Sequence, residues 1–165
     1  MAMEHIIDTH FHLTHMQKRG IDISAFIDTH LKNKLLFGIE VAVHEQHFAE
    51  RKALATLHPH IYMSAGLSPA CVEYSEKEKE QALSEIESQA ASERIIAIGE
   101  TGMDFHWNYA TPEKQENLLK SQIKLANKLH LPVIIHNRKA DKHVLRTLEH
   151  TPAEYGGIMH CFSST

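Results

Sequence analysis

Two histidines separated by one residue, His10 and His12, close a short apolar segment near the start of the chain. On an extended backbone, side chains two residues apart point to the same side, so both imidazoles can meet at one point, with Asp8 on the same face. Neutral imidazoles gathered in this way suggest a divalent metal. Spacing alone does not decide, because 15 histidines in 165 residues yield about one such pair by chance, and His58-Pro59-His60 is a second. The position of each pair relative to the predicted strands must therefore decide whether it is a candidate metal site or a chance occurrence.

The elements that would position these residues alternate between β-rich segments and segments of helical periodicity, which predicts βα units on a parallel sheet. The predicted strands are His5 to Asp8, Leu36 to Val43, Ile61 to Ala65, Ile95 to Gly99, Leu131 to Ile135 and Gly157 to Met159. The predicted helices contain Ile23 to Leu31, Ala53 to Leu57, the segment after a capping box at Ser75, Thr111 to Leu129, and Asp141 to His150.

In parallel βα architectures the loops that follow the strands converge on one face, and this is where chemistry gathers. Metal-competent side chains follow four predicted strands: His10 and His12, Glu100, His136 and His160. A glutamate and four histidines converging there would be costly to desolvate without a cation. The sequence therefore predicts a metal site built from these five residues.

The other histidines have simpler interpretations. His30, His130, His143 and His150 lie in or beside predicted helices, and His58 and His60 fall on the opposite rim, where a helix C-terminus favours positive charge. His44 also follows a strand, so a place in the pocket wall stays open for it. We expect no metal-binding role for the other six.

Composition bounds the class of protein. With 42% hydrophobic and 23% charged residues, the chain predicts one ordinary globular domain, and its net charge of −4 argues against holding nucleic acid by bulk electrostatics. Cys71 and Cys161 form no metal or redox motif, and no apolar segment approaches the ~18 residues that a membrane span requires. We therefore expect a cytoplasmic protein with no membrane association and no stable protein partner.

Four separated motifs give the chain a resemblance to the TatD family of metal-dependent deoxyribonucleases, among the amidohydrolase-like barrel hydrolases. The motifs are Asp8-Thr9-His10-Phe11-His12-Leu13, Ala97-Ile98-Gly99-Glu100-Thr101-Gly102-Met103-Asp104, Leu131-Pro132-Val133-Ile134-Ile135-His136-Asn137-Arg138 and Met159-His160-Cys161-Phe162-Ser163. The resemblance implies a (β/α)8 TIM-barrel fold in which His10, His12, Glu100, His136 and His160 are metal ligands. It also implies that Glu100 bridges two divalent ions.

The sequence departs from the family pattern in two places. Gly66-Leu67-Ser68-Pro69 stands where the family usually has Gly-x-His-Pro, so Ser68 replaces a histidine near the substrate phosphate. The family's last ligand and expected base, an aspartate after strand eight, has no counterpart within residues 1–165. Since a (β/α)8 barrel typically needs ~250 residues, we expect residues 1–165 to form a single partial barrel domain of about six strands and five helices. Truncation is the favoured explanation, and a split protein or a degenerate remnant are the alternatives.

The predicted function is hydrolysis of phosphodiester bonds in DNA by a metal-activated water, with two divalent ions stabilising charge on the phosphate. Arg138 is the candidate phosphate clamp because guanidinium grips phosphate oxygens in a bidentate fashion. Imidazole-rich ligands suit Zn²⁺ or Mn²⁺ better than Mg²⁺, so all three ions stay open. Hydrolysis of C–N or other ester bonds, as in other amidohydrolase-like barrels, is one alternative, and an inactive fragment or pseudoenzyme is another.

Overall fold

Strands and helices alternate along the chain in the order that the sequence predicts. The computed structural model describes residues 5–107 and 109–160. The chain divides into two compact units, residues 1–41 with 46–63 and residues 42–45 with 64–165. The strands are β1 (Ile6–Phe11), β2 (Leu35–Glu40), β3 (Ile61–Ala65), β4 (Ile95–Asp104), β5 (Val133–Arg138) and β6 (Gly157–His160). The α-helices are α1 (Leu13–Lys18), α2 (Ile23–Phe26), α3 (Phe48–Ala55), α4 (Glu76–Gln89), α5 (Pro112–Leu129) and α6 (Asp141–His150).

Strand order in the sheet follows chain order from β1 to β6. The pairings of β1 with β2, β2 with β3, β4 with β5 and β5 with β6 are parallel. Parallel strands in sequential order, each linked to the next through a helical connection, are the pattern of a TIM-barrel-type fold. The predicted α/β class is therefore confirmed, with six strands in the described part of the chain. Within that same part, no helix is long and apolar enough to cross a bilayer.

The first unit contains α1, α2 and α3 together with β1, β2 and the start of β3. The buried apolar side chains of this unit include Leu13, Ile23, Ile27, Leu35, Ile39, Leu54, Ile61 and Met63. Helix α2 begins at an Asp22 side chain that accepts the Ala25 N–H, and it continues as a π-helical turn over Ile27–Leu31. That turn completes the helix predicted from Ile23 to Leu31.

The second unit is organised around α5, whose inner face carries two glutamines among its apolar residues. Gln122 is fully buried, and its side chain amide bonds both the N–H and the carbonyl of Leu67 at 2.7 and 2.8 Å. Gln115, two turns earlier, accepts the Asp104 N–H at 2.8 Å and donates to the Asp104 carbonyl at 3.1 Å. Helix α5 thereby fixes the end of β4, where the candidate chemistry lies.

Helix starts follow the predicted capping chemistry. The Ser75 side chain accepts the Glu78 N–H and the Glu78 carboxylate accepts the Ser75 N–H, so the capping box predicted for α4 is confirmed. Thr111 caps α5 with Pro112 at its first position, and α6 has the predicted bounds of Asp141 to His150. Predicted boundaries were wrong elsewhere: β4 continues five residues past Gly99, β5 continues to Arg138, and α1 was not predicted.

Candidate metal centre

His10 in β1 and His12, which directly follows that strand, converge as their alternate spacing predicts. The Nε2 atoms of His10 and His12 lie 3.2 Å apart. His12 Nδ1 lies 3.0 Å from the Val41 carbonyl, which can only accept, so Nδ1 carries the hydrogen and Nε2 presents its lone pair. Two imidazole nitrogens bound at about 2.1 Å to one ion stand roughly this far apart when their angle is near 100°. The geometry of this histidine pair therefore fits a shared cation.

A buried ion pair supports the loop that carries His12. Glu40 is fully buried at the end of β2, and its Oε2 accepts the N–H of Leu13 at 2.5 Å, at the first residue of α1. Arg51, also buried, places Nε 3.4 Å from Glu40 Oε1 and donates through Nη2 to the Glu40 carbonyl at 2.8 Å. Burial raises the pKa of the Glu40 carboxyl, while the Leu13 N–H and the Arg51 guanidinium favour its charged form. Glu40 is thus the anchor for the residue that follows the histidine pair.

A second set of ligating side chains lies in the second unit and is called here the Glu100 group: Glu100, Asp104, His136 and His160. Glu100 is buried, and its Oε1 stands 2.6 Å from Nδ1 of His136. His136 and His160 are register partners on β5 and β6, with ring centroids 6.2 Å apart. A carboxylate oxygen of Glu100 and a ring nitrogen of His160 lie within 4.8 Å of each other. The structure therefore brings together the three ligands predicted from the last three strands of the sheet.

The position of Glu100 depends on an irregularity in the sheet. Between Gly99 and Thr101 the register of β4 against β5 shifts by one residue, and Glu100 is the residue that stands at the shift. Bulges of this kind redirect a side chain next to a functional site. Two residues on, Gly102 has a φ of 143°, and a Cβ at this position would overlap the carbonyl of His136. Only glycine allows β4 to approach the ligand strand so closely.

Asp104 holds the other side of His136. Its Oδ2 accepts from His136 Nε2 at 2.9 Å, and its Oδ1 accepts the backbone N–H groups of His106 and Trp107 at 2.9 and 3.1 Å. Asp104 therefore ties down the loop that follows β4 and also holds the ring of His136. When a carboxylate accepts a hydrogen bond from one imidazole nitrogen, the other ring nitrogen is oriented to bind a metal.

The environment of this group favours the charged forms of both His136 and Asp104. Burial alone would lower the pKa of His136, but the hydrogen bonds and negative charge of Glu100 and Asp104 raise it above its usual value. Burial alone would raise the pKa of Asp104. Hydrogen bonds from the backbone N–H of Trp107, from the His136 ring and from the backbone N–H of His106 instead hold this pKa below its usual range. Two carboxylates around one imidazole attract positive charge, and a divalent cation would take the place of the Nδ1 proton. The donor set therefore fits a metal.

Residues 7–165 match the family described as TatD related DNase. The chain belongs to this family. The predicted resemblance to TatD proteins is thereby confirmed over nearly the whole of residues 1–165.

Relatives of this TatD-family chain share about a third of its residues. It is 31% identical over 162 residues to the uncharacterized metal-dependent hydrolase YabD of Bacillus subtilis, which covers 97% of this chain and 62% of YabD. It is 34% identical over 117 residues to the 3'-5' ssDNA/RNA exonuclease TatD of Escherichia fergusonii, which covers 70% of this chain and 44% of that protein. The chain thus spans between 44% and 62% of the length of these two relatives.

Solved structures of TatD proteins share the fold. The TatD homologue YjjV of Escherichia coli is 26% identical, with a TM-score of 0.77, covering 97% of this chain and 61% of YjjV. A TatD-family hydrolase of Entamoeba histolytica, 20% identical, superposes with a TM-score of 0.81 over 99% of this chain and 60% of its own. At that identity the second comparison supports the fold alone.

The remaining predicted residues lie apart from direct ligation. Arg138 is exposed at the end of β5, with its guanidinium carbon 5.8 Å from the centre of the Trp107 ring. Ser68 precedes a 3₁₀-helix over Pro69–Glu73, and its N–H donates to the Val43 carbonyl at 2.9 Å. His58 is buried and bonds the His60 N–H and the Lys32 carbonyl, as expected for a structural histidine.

The loss of the Asp104 carboxylate should weaken metal binding. In Asp104→Asn, a single oxygen cannot serve both the loop N–H groups and His136, so the ring loses its fixed orientation. We expect the affinity for Zn²⁺ or Mn²⁺ to fall about tenfold to a hundredfold, as for other partners that orient a metal ligand. Isothermal titration of the metal-stripped chain measures this change, with Glu154→Gln as the exposed control. An affinity within about twofold of wild type would contradict the role of Asp104.

Proposed function

We propose that this chain carries a divalent-metal centre and hydrolyses phosphodiester bonds of single-stranded nucleic acid. The observation that carries the proposal is the Glu100 group, in which a buried carboxylate and two histidines come from three neighbouring strands and Asp104 orients one of them. TatD-family membership and the exonuclease named among its relatives support the substrate class.

The proposed metal ligands are His10, His12, Glu100, His136 and His160. Glu100 is proposed to bridge two ions, as the family resemblance implies. The donor set is mixed, with four imidazoles and one carboxylate, so Zn²⁺ and Mn²⁺ suit it better than Mg²⁺. When bound, such ions lower the pKa of a water molecule and neutralise charge on the attacked phosphate.

Other contacts of the protein would orient the metal ligands and bind the substrate phosphate. His12 is held by the Val41 carbonyl with Nε2 ready to ligate, and His136 is held by Asp104 with Nδ1 ready to ligate. Arg138 would bind a non-bridging phosphate oxygen pair, because its fork matches phosphate geometry. Ser68 is proposed as a weaker phosphate contact in place of the family histidine.

The test uses the 165-residue chain, stripped of metal and reloaded with Mn²⁺, Zn²⁺ or Mg²⁺. We expect metal-dependent release of nucleotides from a labelled single-stranded oligodeoxynucleotide, and none in the presence of a chelator. The double variant His10→Ala with His12→Ala should be inactive, while His30→Ala, an exposed histidine of the same unit, should match wild type. Metal-dependent hydrolysis of small amides or lactones without nucleotide release would instead favour the C–N or ester hydrolase alternative.

A further inference from the structure

The loop after β4 exposes the single tryptophan of the chain. Trp107 is 53% exposed, although a side chain of this size normally gains a large burial energy from packing. Since Trp107 is three residues beyond Asp104, its ring belongs to the loop that leaves the Glu100 group. An exposed tryptophan at such a place is a candidate contact for substrate.

Several contacts hold this tryptophan in place. The backbone N–H of Trp107 donates to Asp104 Oδ1 at 3.1 Å, and the same carboxylate bonds the His136 ring. The His106 ring meets the indole edge to face, with centroids 4.8 Å apart at 77°. Because the backbone of Trp107 is held and its ring already contacts His106, less conformational entropy is lost when a ligand stacks on the indole than on a fully free side chain.

Arg138 adds a positive charge to the same surface. Its guanidinium carbon lies 5.8 Å from the centre of the Trp107 ring, within the range of a cation–π contact. The backbone fixes this neighbourhood, because Asp104 and Arg138 are register partners and the Phe105 N–H donates to the Arg138 carbonyl at 2.9 Å. The exposed guanidinium of Arg138 thus lies over one face of the Trp107 ring, just beyond the ends of β4 and β5.

These two groups match the two parts of a nucleotide. Aromatic side chains stack on bases of any type, and arginine pairs with phosphate oxygens. We propose that Trp107 and Arg138 form a clamp that holds one unpaired nucleotide, with the base on the indole and its phosphate on the guanidinium. The inference rests on the proposed function for the choice of nucleic acid as ligand, and it adds the reason for single-strand preference. Bases inside a duplex are already stacked and paired, so a base must first be extruded, at a cost in free energy, before it can stack on the indole.

The single tryptophan makes stacking directly observable. The probe is fluorescein-labelled pentathymidylate in EDTA, so that no cleavage occurs, with a blunt DNA hairpin for comparison. We expect saturable quenching of Trp107 emission by the unlabelled oligonucleotide, at the concentrations where anisotropy of the labelled one reports binding. The hairpin should quench much less at equal nucleotide concentration.

Variants separate stacking from packing. Trp107→Ala should weaken pentathymidylate binding about fivefold to a hundredfold, whereas Trp107→Phe should retain most of the affinity. Arg138→Ala should also weaken binding and should reduce the slope of log affinity against log salt concentration by about one, a slope that Trp107→Ala leaves unchanged. Tyr155→Ala removes another exposed aromatic side chain of the same unit and should match wild type.

The outcomes that overturn the clamp are distinct from those that overturn the nuclease. Binding by anisotropy with unchanged Trp107 emission, equal affinity of Trp107→Ala and wild type, or no binding of pentathymidylate at all would each refute it. If quenching and the variant pattern appear but no metal releases nucleotides, the clamp stands and the proposed hydrolysis fails. If wild type and Trp107→Ala release nucleotides at equal rates and Trp107 emission is not quenched, the proposed hydrolysis stands and the clamp fails.

Discussion

Replacing Arg51 with alanine should lower the free energy of unfolding by about 3 to 5 kcal/mol, because it leaves the Glu40 carboxylate buried without its cation. A loss of this size is a large share of the 5 to 15 kcal/mol that typically stabilises a domain. Urea denaturation followed by circular dichroism measures the change. Lys52→Ala, at the next and exposed position of α3, should change stability by less than about 0.5 kcal/mol.

The double variant Glu40→Leu with Arg51→Met sharpens this prediction. Apolar residues of similar volume often replace a buried ion pair without loss of stability. Here the Leu13 N–H would still lose its acceptor, so we expect recovery of only part of the stability lost in Arg51→Ala. If the free energy of unfolding of Arg51→Ala lies within about 1 kcal/mol of the wild-type value, the ion pair contributes little to stability.

Replacing Glu100 with glutamine should reduce metal-dependent nucleotide release by more than about a hundredfold, because even partners that only orient a ligand cost up to that factor. The amide keeps the shape of the side chain but removes the negative charge beside His136, 2.6 Å away, and ligates cations weakly. Initial rates on single-stranded DNA at saturating metal measure the loss. The exposed His150→Ala is the matched control, since its ring bonds only its own helix at the Arg146 carbonyl in the described contacts.

A glutamine variant that keeps more than half of the wild-type rate would contradict the place of Glu100 in the reaction. Circular dichroism of the same samples separates this outcome from unfolding. A folded but inactive Glu100→Gln alongside an active His150→Ala would support the ligand role and exclude a general loss of structure.

The parts of the site that depend on local geometry could be predicted from the sequence. Alternation along an extended strand predicted the meeting of His10 and His12, and the Nε2 atoms lie 3.2 Å apart. The convergence of strand ends predicted that Glu100 meets His136, and Glu100 Oε1 lies 2.6 Å from His136 Nδ1. Both inferences need only the period of a strand and the direction of parallel βα units.

The supporting residues could not be predicted in the same way, because their roles depend on partners distant in the chain. Glu40 lies within a predicted strand, and it holds the start of α1 from 27 positions away. Helix α1 is only six residues long, too short for a periodic pattern, and this support explains why it forms. Gln115 and Gln122 are buried on α5, and the backbone groups that they bond belong to other segments of the chain, at Asp104 and Leu67.

Strand boundaries failed for a related reason. Glycines and polar residues in Gly99-Glu100-Thr101-Gly102 read as the end of a strand, whereas β4 continues to Asp104 because each residue from Thr101 onward pairs with β5. Close approach of β5 at Gly102 requires glycine there, so the residue that suggested a turn is the one that permits the pairing. The single-domain organisation and the ligand set remain predictions.

The proposed function requires that this chain binds divalent metal through the histidine pair and the Glu100 group. Equilibrium dialysis of the metal-stripped chain against Zn²⁺ or Mn²⁺, read by elemental analysis, measures that binding. We expect stoichiometric metal in wild type and in His30→Ala, and a loss of bound metal both in His10→Ala with His12→Ala and in Glu100→Gln. A wild-type chain that retains no stoichiometric metal, or ligand variants that retain as much as wild type, would contradict this mode of binding.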